Sequence, residues 1–410
     1  MNVRTNRAQV VSARGRRAAV AGALLLTALA ASPAHAGPNE QARRIYERIA
    51  GVPPTAAELA SMSATINSGC SGSCAPGAAA LVQAAQTATS APTFYSVTLK
   101  NMVIPWTNRD QTVFAPFNDY AATVIGMVRD DVPFNTALSA DILYVVNGVS
   151  PAASISDNNH YATAEANGID LFANLKQTSQ SAAYGTPTAA TAGLITTRGA
   201  ESSFFINGTN RAMFRFTMIN HFCNDMQTLM DTTRPTDRIR QDVARSPGGD
   251  SRVFLNTCVG CHSGMDPMAQ AFAYYNFNGT AVGDGTNTGT MVYTPGQVQP
   301  KYLINSNNFV YGFVTPDDSW SNRWRAGVNA SLGWDPTLPG SGNGAKSLGV
   351  ELESSDAFAQ CQVVKVFTAV CFRAPLASDQ TAISSIKASF KSGYKLKQVF
   401  QQAAAACPGQ

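Results

Sequence analysis

Apolar positions recur at helical spacing over most of the chain. In QARRIYERIAGVPP, Ile45, Ile49 and Val52 mark one face and Pro53-Pro54 end the segment, while Thr55 with Glu58 three residues on forms a capping signal. Two helices are therefore predicted within 38–66. Residues 78–104 and 118–147 are predicted to be largely helical, broken by the polar NRDQ stretch and Pro116. Residues 148–194, rich in Ser, Ala, Thr and Asn, read as loops with a boundary at 185–193. A helix is expected over 210–230 and a short one over 237–245. Residues 279–300 and 335–346 read as long loops rich in Gly, Thr and Asn. The C-terminal part returns to helix. One long segment ends before Pro375, a second starts at Ser378-Asp379 and runs to about Phe390, and a third covers 396–405 after Gly393. The expected fold class is mainly α, a helical multi-segment protein with long loops.

Only 14% of residues are charged and 45% are apolar, so a sizeable core can form. The formal charge of +4 comes from the N-terminus. Arg4, Arg7, Arg14, Arg16 and Arg17 precede the apolar run 18–31, and no Asp or Glu occurs before residue 37. The remainder is close to neutral, which gives no electrostatic footprint for nucleic acid. Basic start, short apolar run and the Ala34-x-Ala36 pattern form an export signal, with cleavage expected near Ala36-Gly37. The run is too short to span a bilayer about 30 Å thick. A periplasmic or secreted protein, not an integral membrane protein, is expected.

Export changes how the eight cysteines are read. Cys258-Val259-Gly260-Cys261-His262 is C-x-x-C-H, the sequence signature of c-type haem attachment. Two thiols on one turn match two vinyl groups on one porphyrin edge, and the adjacent imidazole can reach the iron. Cys258, Cys261 and His262 are the expected cofactor-binding residues for one covalent haem c, with His262 the metal ligand. For the opposite iron face, Met291, His221, Met213, Met218 or an open position all remain. Met213, Met218 and His221 share one apolar helical stretch whose spacing equally suits core packing.

Six cysteines are left over, which suggests a disulfide framework. Cys361 and Cys371 sit ten residues apart on one predicted helix, roughly 15 Å at the helical rise, so they cannot pair with each other. Three alternating C-terminal helices would bring Cys407 beside Cys371. Cys70 and Cys74 share a short Gly/Ser turn. Cys223 and Cys361 then either bridge or remain buried thiols.

Three stretches together carry a family resemblance. They are AGLITTRGAESSFF leading into RFTMIN, then CVGCHSGMDPMAQAFAYYNF, and finally SSDAFAQCQVVKVFTAVCFRAP with SFKSGYKLKQVF. The chain resembles the exported helical proteins grouped as planctomycete-type cytochrome c domains of unknown function. Cys258, Cys261, His262, Met265, Asp266, Pro267, Asn276 and Phe277 match around the motif, as do Ser355, Phe358, Arg373, Asp379 and Tyr394 near the C-terminus. Where such relatives carry a histidine ahead of the Arg215 position, this chain reads INGTNRAMF. The resemblance implies an exported c-type haem protein without assigning an activity.

The expected organisation is a signal peptide over 1–36, a helical region over 37–190, the c-type haem-binding region over 191–285, and a loop-rich segment leading into C-terminal helices over 286–410. The leading functional expectation is mono-haem electron transfer with a redox partner protein, within or to a larger exported complex. The alternatives are a peroxidase- or oxygenase-like haem enzyme and a haem-stapled structural or binding module.

Overall fold

The computed structural model describes residues 36–279 and 288–408, so the export signal expected over 1–36 lies almost wholly outside the described residues. Helices dominate. α1 (Pro38–Ala50) and α2 (Ala56–Cys70) match the pattern, and Thr55 and Glu58 close a reciprocal capping box at the start of α2. α3 (Ala79–Thr89) packs on both, and α4 (Asp119–Arg129) is capped by the Asn118 side chain.

The stretch 118–147 is not helical throughout. LYVV (Leu143–Val146) is strand β1, paired antiparallel with β2 (Leu175–Thr178), and α5 (Asn159–Ala166) lies between them. Tyr144 of β1 lies so close to α4 that a Cβ at Gly126 would sit 2.1 Å from its ring. α6 (Arg198–Phe204) and α7 (Arg211–Phe222) follow. α7 ends eight residues earlier than the expected 230, because Cys223 turns left-handed at φ 55°. The expected helix over 237–245 is a run of turns whose arginines bind elsewhere, as described below.

α8 (Val259–Ala269) carries the C-x-x-C-H motif. β3 (Tyr275–Gly279) and β4 (Gly289–Tyr293) form a hairpin within the expected loop over 279–300, while its tip, 280–287, lies outside the described residues. β5 (Ser319–Ser321) pairs with β6 (Ser341–Asn343), which lies inside the second expected loop, and α9 begins there as well. The first C-terminal helix is two, α9 (Gly344–Glu353) and α10 (Asp356–Cys371), because Ser355 caps the second. α11 (Gln380–Lys391) and α12 (Leu396–Ala406) close the chain.

One apolar core runs from Ala42 to Cys407. α12 packs on α1 and α3, and α10 packs on α7 and α12. All six non-motif cysteines are bridged: Cys70–Cys74, Cys223–Cys361 and Cys371–Cys407. Cys223 and Cys361 are therefore cross-linked, tying α7 to α10. Among the described residues no helix is long and apolar enough to cross a membrane.

Candidate functional site

With those three bridges formed, Cys258 and Cys261 are the cysteines left free. Asp250 caps a helical turn at Ser251–Val253, and a wider π-helical turn, Phe254–Cys258, feeds directly into α8. Such widened turns recur at functional sites. Cys258 and Cys261 stand one turn apart, both partly exposed, and His262 follows. On the turn before Cys258, Val253 and Leu255 are exposed apolar side chains, Leu255 at 57%. Exposed apolar side chains beside free thiols suit an apolar ligand surface.

The segment after α7 lies along the first turns of α8. Asp231 N–H donates to Gly260 O at 2.9 Å, and Ser263 Oγ donates to Asp231 O at 3.1 Å. Cys261 Sγ lies 3.4 Å from Met226 O. Met230 packs on the same turn, where a Cβ at Gly260 would meet its side chain at 3.2 Å. On another side of α8, Trp324 approaches so closely that a Cβ at Gly264 would lie 1.9 Å from the indole nitrogen. The helix is thus wedged in place along its length.

The His262 side chain is 20% exposed, and its Nδ1 lies 3.1 Å from Asp266 Oδ1, one turn further along α8. Asp266 is fully buried. Arg211 binds it in a fork, Nε to Oδ1 at 2.7 Å and Nη2 to Oδ2 at 2.9 Å, and Arg240 N–H donates to Oδ2 at 3.4 Å. Arg211 also grips Asp242 at 2.5 and 2.9 Å. Arg240 is 4.6 Å from the Tyr302 ring centroid, and its Nε and Nη1 meet no acceptor among the described residues.

Burial alone would raise the Asp266 pKa, but Arg211, His262 and Arg240 outweigh it and hold the carboxyl well below the usual range. An ionised carboxylate can only accept, so Nδ1 carries the shared proton and Nε2 is the nitrogen left for another partner. Nε2 has no partner among the described residues. Burial and the neighbours Cys258 and Asp225 push the Cys261 thiol up. A thiol–disulfide exchange site needs the opposite shift.

The candidate sixth ligands lie elsewhere. His221 sits in the core, where Tyr120 Oη lies 2.8 Å from its Nε2. The Tyr120 hydroxyl stays protonated through burial, and its contact occupies Nε2 whichever atom donates. Burial and Lys365 hold the His221 pKa well below the usual range. Met213 and Met218 are core residues, and Met291 sits partly buried on β4 opposite Phe277.

The structure thus places Cys258, Cys261 and His262 together, and adds Asp266, Arg211, Arg240 and Asp242. Helical spacing from His262 points to Asp266. No sequence signal points to Arg211, 55 residues away. Among the described residues no group of three or more His, Cys, Asp or Glu is arranged to hold a bare metal ion. Haem iron differs, since the porphyrin supplies four of its ligands. The donor set fits such a group: two free thiols in register, an adjacent imidazole with one nitrogen fixed and the other unengaged, and exposed apolar neighbours. No family model matches the chain, and neither a curated protein nor a solved structure matches it.

Proposed function

We propose that this chain is an exported mono-haem c-type protein whose role is electron transfer with a partner protein. One observation carries the reading. Every described cysteine outside the motif is spent in a disulfide, while Cys258 and Cys261 stay free beside a histidine whose Nε2 is unengaged. Cys258 and Cys261 would hold the porphyrin by thioethers, and His262 would bind the iron. The bound group supplies a one-electron couple. The chain's own contribution is to fix the imidazole, surround the site with apolar side chains and anchor α8 rigidly. The resemblance to planctomycete-type cytochrome c domains supports the same reading.

A second reading is a haem enzyme with an open iron position. It is favoured by the engagement of His221, Met213 and Met218 in the core. The test is one experiment on protein matured with haem in an exporting host. Denaturing gels stained for haem should show covalent cofactor, and a pyridine haemochrome should count one per chain. A low-spin spectrum in both oxidation states, unchanged by CO, supports electron transfer. A CO-sensitive, high-spin ferric form supports the enzyme. A protein that carries no haem after this maturation overturns both.

A further inference from the structure

The strongest unexplained feature beside the motif is a fully buried carboxylate joined to two arginines and one histidine. Its cost is considerable, since a buried ionic cluster forfeits hydration that apolar residues of similar volume would not. Such a cluster is informative when one member touches a functional group. Here that member is His262.

We propose that Asp266 is a positioning residue for the haem iron: its carboxylate fixes the His262 ring and tautomer, gives the ligating nitrogen imidazolate character, and so lowers the reduction potential of the bound haem. This rests on the haem reading of Cys258, Cys261 and His262.

Three observations carry it. The first is geometric. Asp266 lies one helical turn after His262, so the backbone of α8 itself sets the Nδ1–Oδ1 approach at 3.1 Å. The second is the direction of the hydrogen bond. Arg211 and Arg240 crowd the carboxylate with donors, leaving it able only to accept. The proton is thus pinned at Nδ1, and Nε2 is the nitrogen left to face the iron. Carboxylate–histidine–metal arrangements of this kind raise ligand basicity, and a more basic ligand favours ferric over ferrous iron.

The third is rigidity. Arg211 is bound on its other side by Asp242, and it stands at the start of α7, which packs on α8. The carboxylate is therefore held from a second helix and does not follow the imidazole if the ring turns.

The experiment uses full-length, haem-loaded protein and first counts haem by pyridine haemochrome. Midpoint potentials are then measured for wild type, Asp266→Asn and Asp242→Asn. Both variants remove one negative charge from the same network, but only Asp266 touches the imidazole. The expected result is a positive shift in Asp266→Asn clearly larger than in Asp242→Asn. Equal shifts, or none, in haem-loaded variants overturn the positioning role and leave the haem assignment standing. A wild type without haemochrome overturns the assignment and the role together.

Because Asn at 266 removes the charge that faces the buried Arg240 and half of the pairing of Arg211, this variant can fail to fold. The wild type alone then decides the matter. The Nδ1–H resonance of His262 in the ferric protein should exchange with solvent far more slowly than a free imidazole. Exchange at the free rate overturns the proposal.

Discussion

Helices α7 and α8 pack against each other and each carries a histidine, in opposite surroundings. His221 is enclosed by rings, stacked on Tyr120 and Phe358 and edge-on to Trp106, and its Nε2 is occupied. Lys365 lies 4.1 Å from the Trp106 ring centroid, and the Cys223–Cys361 bridge closes that side. His262 has its Nδ1 fixed by an ion cluster and its other nitrogen unengaged. One imidazole is built into the core, and the other is held at one nitrogen with the second unengaged. The difference lies in which nitrogen the protein occupies, and exposure alone would not have shown it.

The largest expected effect separates the two sides outright. Cys258→Ala with Cys261→Ala should remove all covalent haem, and His262→Ala should abolish the low-spin spectrum. His221→Phe should leave haem content and spectrum unchanged. A lost low-spin spectrum in His221→Phe would break the comparison.

Next comes the bridge on the His221 side. By the loop-entropy argument, opening Cys223–Cys361, which spans 138 residues, should cost about 5 kcal/mol. Opening Cys371–Cys407, which spans 36, should cost about 4 kcal/mol, and opening Cys70–Cys74, which spans 4, about 2 kcal/mol. Denaturant midpoints of the paired Cys→Ser variants test this order. Haem staining should persist in all three.

A smaller effect concerns pH. Burial pushes the Lys365 pKa from 10.5 down to about 7. Because the folded value lies below the unfolded one, its stabilising contribution is complete above pH 10.5 and lost as pH falls towards 7. Lys365→Met should therefore gain stability relative to wild type at pH 6, and its stability should vary less between pH 7 and 10. Equilibrium unfolding at several pH values checks this. An unchanged pH profile would show that Lys365 is solvated in the folded state.

The smallest effect lies at the surface, where α7 meets the segment that follows it. Arg215 and Asp225 form a forked, largely exposed pair, with Nη2–Oδ2 at 2.6 Å. Arg215→Ala should cost under about 1 kcal/mol, less still in high salt. A larger loss in thermal unfolding would mean that the pair holds the segment lying over the motif.

Much of this architecture was legible in local patterns. The Thr55–Glu58 box, the Gly393 stop and the C-terminal helices follow from capping and periodicity alone, and helix geometry kept Cys361 from pairing with Cys371. The misreadings have tertiary causes. DRIRQDVAR is apolar at helical spacing, yet it forms turns because Arg240 and Arg245 are drawn to partners off the segment: Arg240 to Asp266 and Tyr302, Arg245 to the rings of Phe254 and Phe309. LYVV became a strand because Lys176 and Leu175 supply an edge from thirty residues away. At the site, the thiols and His262 were plain from spacing. The arginines around Asp266 were not, since a charge partner brought in by folding leaves no periodic trace.

The contact of α12 with α1 and α3 has a consequence for the order of folding. Gln401 donates a hydrogen bond to Thr89 across 312 residues, and Arg48 donates one to the carbonyl of Cys407 across 359. Closing such contacts requires the longest loops the chain can make, which slows the search for the native arrangement. The core formed by the first helices cannot be completed until the last eleven-residue helix arrives. Until then the apolar faces of α1 and α3 that Leu396–Ala406 covers stay open to solvent, the stage at which an unfinished core is prone to associate with other chains.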